Sequence, residues 1–155
     1  MIEVKEATLR GLLEMAKHLI SSRRYNEKLQ IIARKSSEIA NCSRTCLIIR
    51  NKRGELAIRA GFPDGSHGIG ERVFPENGKN FLMQVIKEAL PVLIVKPGTD
   101  PRTAYMKELV NTYGISAVMF YPLSHKGESL GILIFDAVGE EKFTKENSKY
   151  IEDTG

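Results

Sequence analysis

The sequence predicts an α+β domain built as a three-layer α/β/α sandwich around a central antiparallel sheet of five or six strands. Three observations predict it. Two amphipathic helical patterns open the chain, two hairpins of similar design bracket its middle, and the second hairpin, AVMFYPLSHKGESLGILIFD (Ala117 to Asp136), is apolar at nearly every position. A sheet with one wet face alternates apolar and polar residues, so strands apolar on both sides need cover on both faces.

The length of 155 residues fits one domain, expected to span 1–155, that is large enough to bury a core. A content of 42% hydrophobic and 27% charged residues is that of a soluble globular protein. The longest apolar runs fall well short of the roughly 18 residues of a membrane span. Glu3, Lys5, Glu6, Arg10, Glu14 and Lys17 interrupt any apolar core that a signal peptide would need, so a cytoplasmic setting with no membrane partner is expected. The net charge of +4 comes from Lys and Arg scattered along the chain without a nucleic-acid motif, which predicts no direct nucleic-acid contact.

From Glu3 to Ile20 the residues Leu9, Leu12, Leu13, Ala16, Leu19 and Ile20 recur at helical spacing. After SSRRYN, with Asn26 as N-cap, the residues Leu29, Ile32, Ala33, Ser36, Ile39 and Ala40 repeat the pattern up to Asn41, so terminal helices are expected over 3–40. The stretch TCLIIRNKRGELAIRAGF reads as a hairpin turning at Arg53 and Gly54, with Gly54 in the left-handed region. A long loop, PDGSHGIGERVFPENG, leads to Asn77 as the cap of a helix carrying Phe81, Leu82, Val85, Ile86 and Ala89. Pro91 opens the strand VLIV, and a short helix follows with Asp100 as N-cap, Pro101 at its first position and Gly114 just past its end. After the second hairpin, Phe143 and Thr144 begin a closing helix over 144–155. It has only about two turns, which fits docking against the first helices or a fragment of a longer polypeptide.

The terminal helices are expected to cover one sheet face, and the segment 62–114 the other. Short helices and loops close over a sheet less tightly than long helices, so a ligand cavity is expected beneath that segment.

The order of elements and the stretch SAVMFYPLSHKGESLGILIFD resemble a GAF domain. The resemblance is carried by an apolar strand ending in Pro122-Leu123, a turn with Gly127, and Leu130, Gly131 and Leu133, with support from Gly68-Ile69-Gly70 and Asp100-Pro101-Arg102. It implies a regulatory small-molecule binding domain that is not itself an enzyme, with helices at its ends that form a homodimer and signal to an output domain of the same chain. The opening helices resemble those of activators of the nitrogen-fixation type, which implies a transcriptional activator acting with an alternative sigma factor. The alternative is a ligand-free dimerisation module of a signalling protein such as a histidine kinase.

Candidate ligand-binding residues are Arg72, Phe81, Arg102, Tyr105, Met119 and Tyr121, with Lys96 and Asp100 nearby. Phe81 and Met119 equally suit plain core, Asp100 a helix cap and Lys96 a solvated turn. Tyr105 and Tyr121 are favoured because a phenol in an apolar setting needs a hydrogen-bond partner. A small ligand that is anionic or strongly hydrogen-bonding is expected, with Arg102 and Arg72 as its anchors. No metal or haem is expected, because His18, His67 and His125 lack ligand spacing, and the identity of any cofactor stays open. Cys42 and Cys46 are expected to be reduced, structural thiols. They lie at the helix-to-strand junction, away from the mid-chain loops where a methionine-sulfoxide-reducing GAF subfamily carries its cysteines.

Overall fold

A computed structural model describes residues 11–14, 26–50, 53–63 and 79–140. After a helical piece at 11–14, the elements are α1 (Asn26–Ala40), β1 (Arg44–Arg50), β2 (Leu56–Phe62), α2 (Lys79–Glu88), β3 (Val92–Val95), a 3-10 segment (Pro101–Met106), α3 (Lys107–Tyr113), β4 (Ile115–His125) and β5 (Glu128–Val138). Five antiparallel strands form one sheet in the order β2-β1-β5-β4-β3. The two predicted hairpins are therefore joined through β1 and β5. Several expectations lie outside the described residues: most of the first helix with His18, the Gly68-Ile69-Gly70 stretch with His67, Arg72, the Asn77 cap and the closing helix.

Directly paired residues of neighbouring antiparallel strands point to the same side, so the register sorts the side chains into two faces. Thr45, Phe135, Met119 and Leu93 form one row, with Leu47, Leu133 and Tyr121 beside it. This face packs on α1 through Leu29, Ile32, Ala33 and Ala40, and Leu13 joins the same cluster. Leu47, Leu133, Phe135 and Met119 are fully buried. Each such large apolar side chain contributes roughly 1.5–3 kcal/mol by leaving water. The opposite face carries the row Cys46, Ile134, Phe120 and Val92 and the row Arg44, Asp136, Val118 and Ile94. It is covered by α2, the 3-10 segment and α3, through Leu82, Val85, Ile86, Met106 and Val110. The doubly apolar hairpin is thus covered on both faces.

α1 ends as its sequence directs. Asn41 adopts a left-handed φ of 61°, the Cys42 N–H donates to Ser37 O at 3.0 Å and the Asn41 N–H to Glu38 O at 3.2 Å. Two otherwise orphaned carbonyls are satisfied there. Gln30 joins the same helix to the edge strand β2: its side-chain nitrogen donates to Gly61 O, and its oxygen accepts from the Gly61 N–H.

Gly54 turns the first hairpin with φ +80°, as expected. Gly131 has a different reason to be glycine, because a Cβ there would meet Ile48 O at 2.0 Å. Only a residue without a side chain lets β5 lie this close to β1. His125 closes β4 in a half-buried position, and the turn is made by Lys126 and Gly127.

The single short helix expected after Asp100 is two segments, a 3-10 stretch followed by α3. Thr103 leaves helical geometry at φ −111°, ψ 17°, and its buried hydroxyl donates to Pro97 O at 2.7 Å. A side chain tied to upstream backbone competes with the helical ladder and breaks it there. The end signals hold: Asp100 accepts from the Arg102 N–H, Pro101 opens the segment, and Gly114 closes α3 with φ 67°.

Candidate functional site

The face under the irregular cover carries the buried charged pair, whereas the buried polar side chains on the α1 side, Ser36, Ser37 and Thr45, are neutral hydroxyls. The charged pair is a cross-strand one and forms the floor at one end of its face. Arg44 opens β1 and Asp136 lies near the end of β5, and both point toward the cover because they are register partners in the same row as Val118. Both are buried, at 3% and 4% exposure. Arg44 Nε approaches Asp136 Oδ2 at 3.4 Å, longer than the usual 2.7–3.2 Å of such a bond. The guanidinium also stacks over the Tyr113 ring of α3, 3.8 Å from its centroid. Asp136 Oδ1 has no hydrogen-bond partner among the described residues.

Burial dominates the electrostatics of this pair. Removal from water pushes the Asp136 carboxyl up to about 7, although the charge and hydrogen bond of Arg44 pull the other way. The neighbouring Cys46 thiol and Tyr105 phenol are also raised, first by desolvation and then by the Asp136 charge, so both are neutral groups at physiological pH. Cys42 sits in the α1-side core, where its sulfur lies 3.5 Å from Ser37 Oγ, and burial lifts its thiol to about 11. Both cysteines are free and buried, and thiols held protonated in this way are poor nucleophiles.

The aromatic part of the site is built by α2 and the 3-10 segment. Phe81, half-buried on α2, meets Phe120 of β4 edge to face, with centroids 5.1 Å apart. Arg102 lies over Phe81 at 5.9 Å. Tyr105, half-buried, packs against the same apolar cluster.

Of the residues expected to bind ligand, the structure brings Phe81, Arg102 and Tyr105 together on this face. Met119 and Tyr121 lie on the opposite face, in the core against α1, where Tyr121 meets Phe135 edge to face at 6.4 Å. Arg72 is outside the described residues. Arg102 is not an open cation: Nε and Nη2 bind the two carboxylate oxygens of Asp100 at 3.0 and 2.7 Å. That bidentate pair holds the Asp100 carboxyl below its ordinary range, and the Asp100 hydrogen bond raises Arg102 further. Lys96 is exposed in its turn, with a left-handed φ of 57°.

Arg44 and Asp136 were not among the residues singled out from sequence. Their signal was available, since each is a charge next to an apolar run, Arg44 before TCLII and Asp136 after ILIF. Among the described residues no helix is long and apolar enough to cross a membrane.

Comparison with known proteins agrees with this architecture. The chain is similar in structure to the GAF domain of a phosphoenolpyruvate-protein phosphotransferase from Coxiella burnetii, with 18% identity, a TM-score of 0.66 and coverage of 94% of this chain and 88% of that one. It is also similar to the GAF domain of a two-component sensor histidine kinase from Bacillus halodurans, with 15% identity, a TM-score of 0.55 and coverage of 72% and 74%. A type II free methionine-R-sulfoxide reductase from Thermoplasma acidophilum shares the fold at 14% identity, with a TM-score of 0.59 and coverage of 92% and 88%. No curated protein matches the chain. The sequence pattern of the GAF domain matches residues 25–153, most of the chain, and the protein therefore belongs to the GAF domain family of sensory and regulatory modules.

Proposed function

We propose that this chain is the regulatory domain of a signalling protein, binding a small-molecule effector between the sheet and its irregular cover and passing the state of that layer to an output domain of the same polypeptide. The observation that carries this reading is the difference between the two covers. The α1 side is closed by a regular helix over a mainly apolar core, whereas the other side holds a buried acid with an unsatisfied oxygen, a buried cation and two half-buried aromatics under short elements. Packing alone has no use for an unsatisfied buried carboxylate oxygen, and a few convergent polar groups on an apolar, aromatic floor are what ligand recognition needs. The domain acts as a regulatory module and not as an enzyme, in keeping with thiols that are buried and held protonated.

For the output, kinase-type or phosphotransfer signalling has more support than a transcriptional activator acting with an alternative sigma factor. The similar GAF domains described above include one from a sensor histidine kinase and one from a phosphotransferase. The same relatives support the second reading, a dimerisation module that needs no ligand. In both readings the terminal helices form the homodimer. The two are separated by mass spectrometry of natively purified protein. Release of a defined small molecule on denaturation is expected. A clean dimer by light scattering that releases nothing, and that no small molecule stabilises, would leave dimerisation alone.

A further inference from the structure

We propose that Asp136, held by Arg44, is the anchor for a small, flat ligand that is neutral or cationic and offers an N–H or O–H donor to Asp136 Oδ1. This deepens the sensing reading above and rests on it. Three observations carry it.

First, the carboxylate is half satisfied. Asp136 is 4% exposed, Oδ2 has the one long contact to Arg44 Nε, and Oδ1 has no partner among the described residues. A buried acceptor left in that state is costly, and a donor brought by a ligand removes the cost.

Second, the oxygen lies on the face where a flat molecule is best received. Asp136 shares its sheet face with Phe120, whose ring meets Phe81, and Tyr105 packs against the same cluster. Aromatic groups on such a face favour a planar ligand stacked or set edge-on among them.

Third, the charges around the acid favour a donor over an anion. From β1 it meets Arg44, and the Cys46 thiol and Tyr105 phenol on the same face are neutral groups. From α3, Tyr113 takes the Arg44 guanidinium on its ring. Arg102 of the 3-10 segment is neutralised by two bonds to Asp100. A negative ligand head would meet a buried carboxylate, with Arg44 and Arg102 already engaged. An amide, amidine, amine or ureide N–H meets an acceptor without a donor.

The test uses three probes with one ring and different heads: benzamidine (cationic donor), benzamide (neutral donor) and benzoate (anion without a donor). Each is titrated into the full chain at about pH 8, above the titration of the acid itself, while the side-chain 13C resonance of the Asp136 carboxyl and the ring resonances of Phe81 and Tyr105 are followed. Benzamidine and benzamide are expected to move the Asp136 resonance saturably at concentrations up to about 20 mM, a range suited to fragment-sized ligands, and benzoate is not. Asp136→Asn is expected to weaken benzamidine roughly tenfold or more, as loss of a charge-assisted hydrogen bond does. The wild-type carboxyl signal decides the matter even if that variant fails to fold. Benzoate binding as tightly as benzamidine would overturn the proposal. So would movement at Phe81 and Tyr105 with Asp136 unmoved, although the sensing face would then stand. No movement at any of the three would count against both.

Discussion

The molecule contains two aspartate–arginine pairs of nearly opposite character. Asp100 and Arg102 are two residues apart, with the Arg102 side chain 50% exposed and both carboxylate oxygens engaged. Asp136 and Arg44 are 92 residues apart, with side chains 6% and 4% exposed and one long contact between them. The first pair lowers its acid and the second fails to, although the partner residue is the same. Desolvation, not the identity of the partner, decides the outcome, and the deeply placed pair is the chemically sensitive one.

The largest test of that contrast removes each arginine. Arg44→Ala leaves a buried carboxylate without its cation, so a loss of about 3–5 kcal/mol is expected in urea unfolding at about pH 8. Arg102→Ala should cost at most about 1 kcal/mol, because its pair is largely exposed. Equal losses would show that burial does not set the two pairs apart.

Acid titration sharpens it next. Asp136 titrates at about 7 in the folded chain, above the carboxyl range of the unfolded one. Between roughly pH 4 and 7 the native state holds a proton that the unfolded state has released, so stability from this group falls as pH rises through that window, by on the order of a few kcal/mol. Asp100 has the opposite sign. Its carboxyl is lowered, so its contribution is present above the unfolded value and is lost only in stronger acid. Unfolding followed from pH 4 to 8 should show the decline in the wild type and a flatter profile in Asp136→Asn. A wild-type profile that rises across that range would contradict the assignment.

The smallest effect expected is at the cap. Asp100→Ala removes the acceptor for the Arg102 N–H and should cost about 1 kcal/mol, with the loss independent of pH above about 5. Asp100→Asn, which keeps an acceptor but no charge, should restore most of it. If it does not, the ion pair rather than the cap holds this turn.

Much of the fold was legible because its signals are local. Leu29, Ile32, Ala33 and Ala40 mark the buried stripe of α1, and Asp100, Pro101 and Gly114 mark the ends of the cover helix. The break at Thr103 was not legible, since it depends on a hydroxyl reaching Pro97 O. The candidate site was only partly legible for a related reason. In β4 both Met119 and Phe120 are apolar and fully buried, so alternation cannot say which parity faces the cover. Pattern alone does not separate Met119 and Tyr121 from Phe81 and Tyr105, and the register places them on opposite sides. Arg44 and Asp136 become partners only through the β1–β5 register, which no short stretch of sequence contains.

The strand order also sets a timetable. β5, the last strand among the described residues, is the middle strand of the sheet, with β1 on one side and β4 on the other. During synthesis the β1–β2 hairpin must therefore wait, one strand edge unpaired, until residues 128–138 leave the ribosome. Contacts between such distant segments form slowly and leave early intermediates prone to pairing with other chains. A chain stopped just before Glu128 is expected to aggregate rather than form a smaller domain, and a nascent chain is expected to become protease-resistant only once β5 has fully emerged.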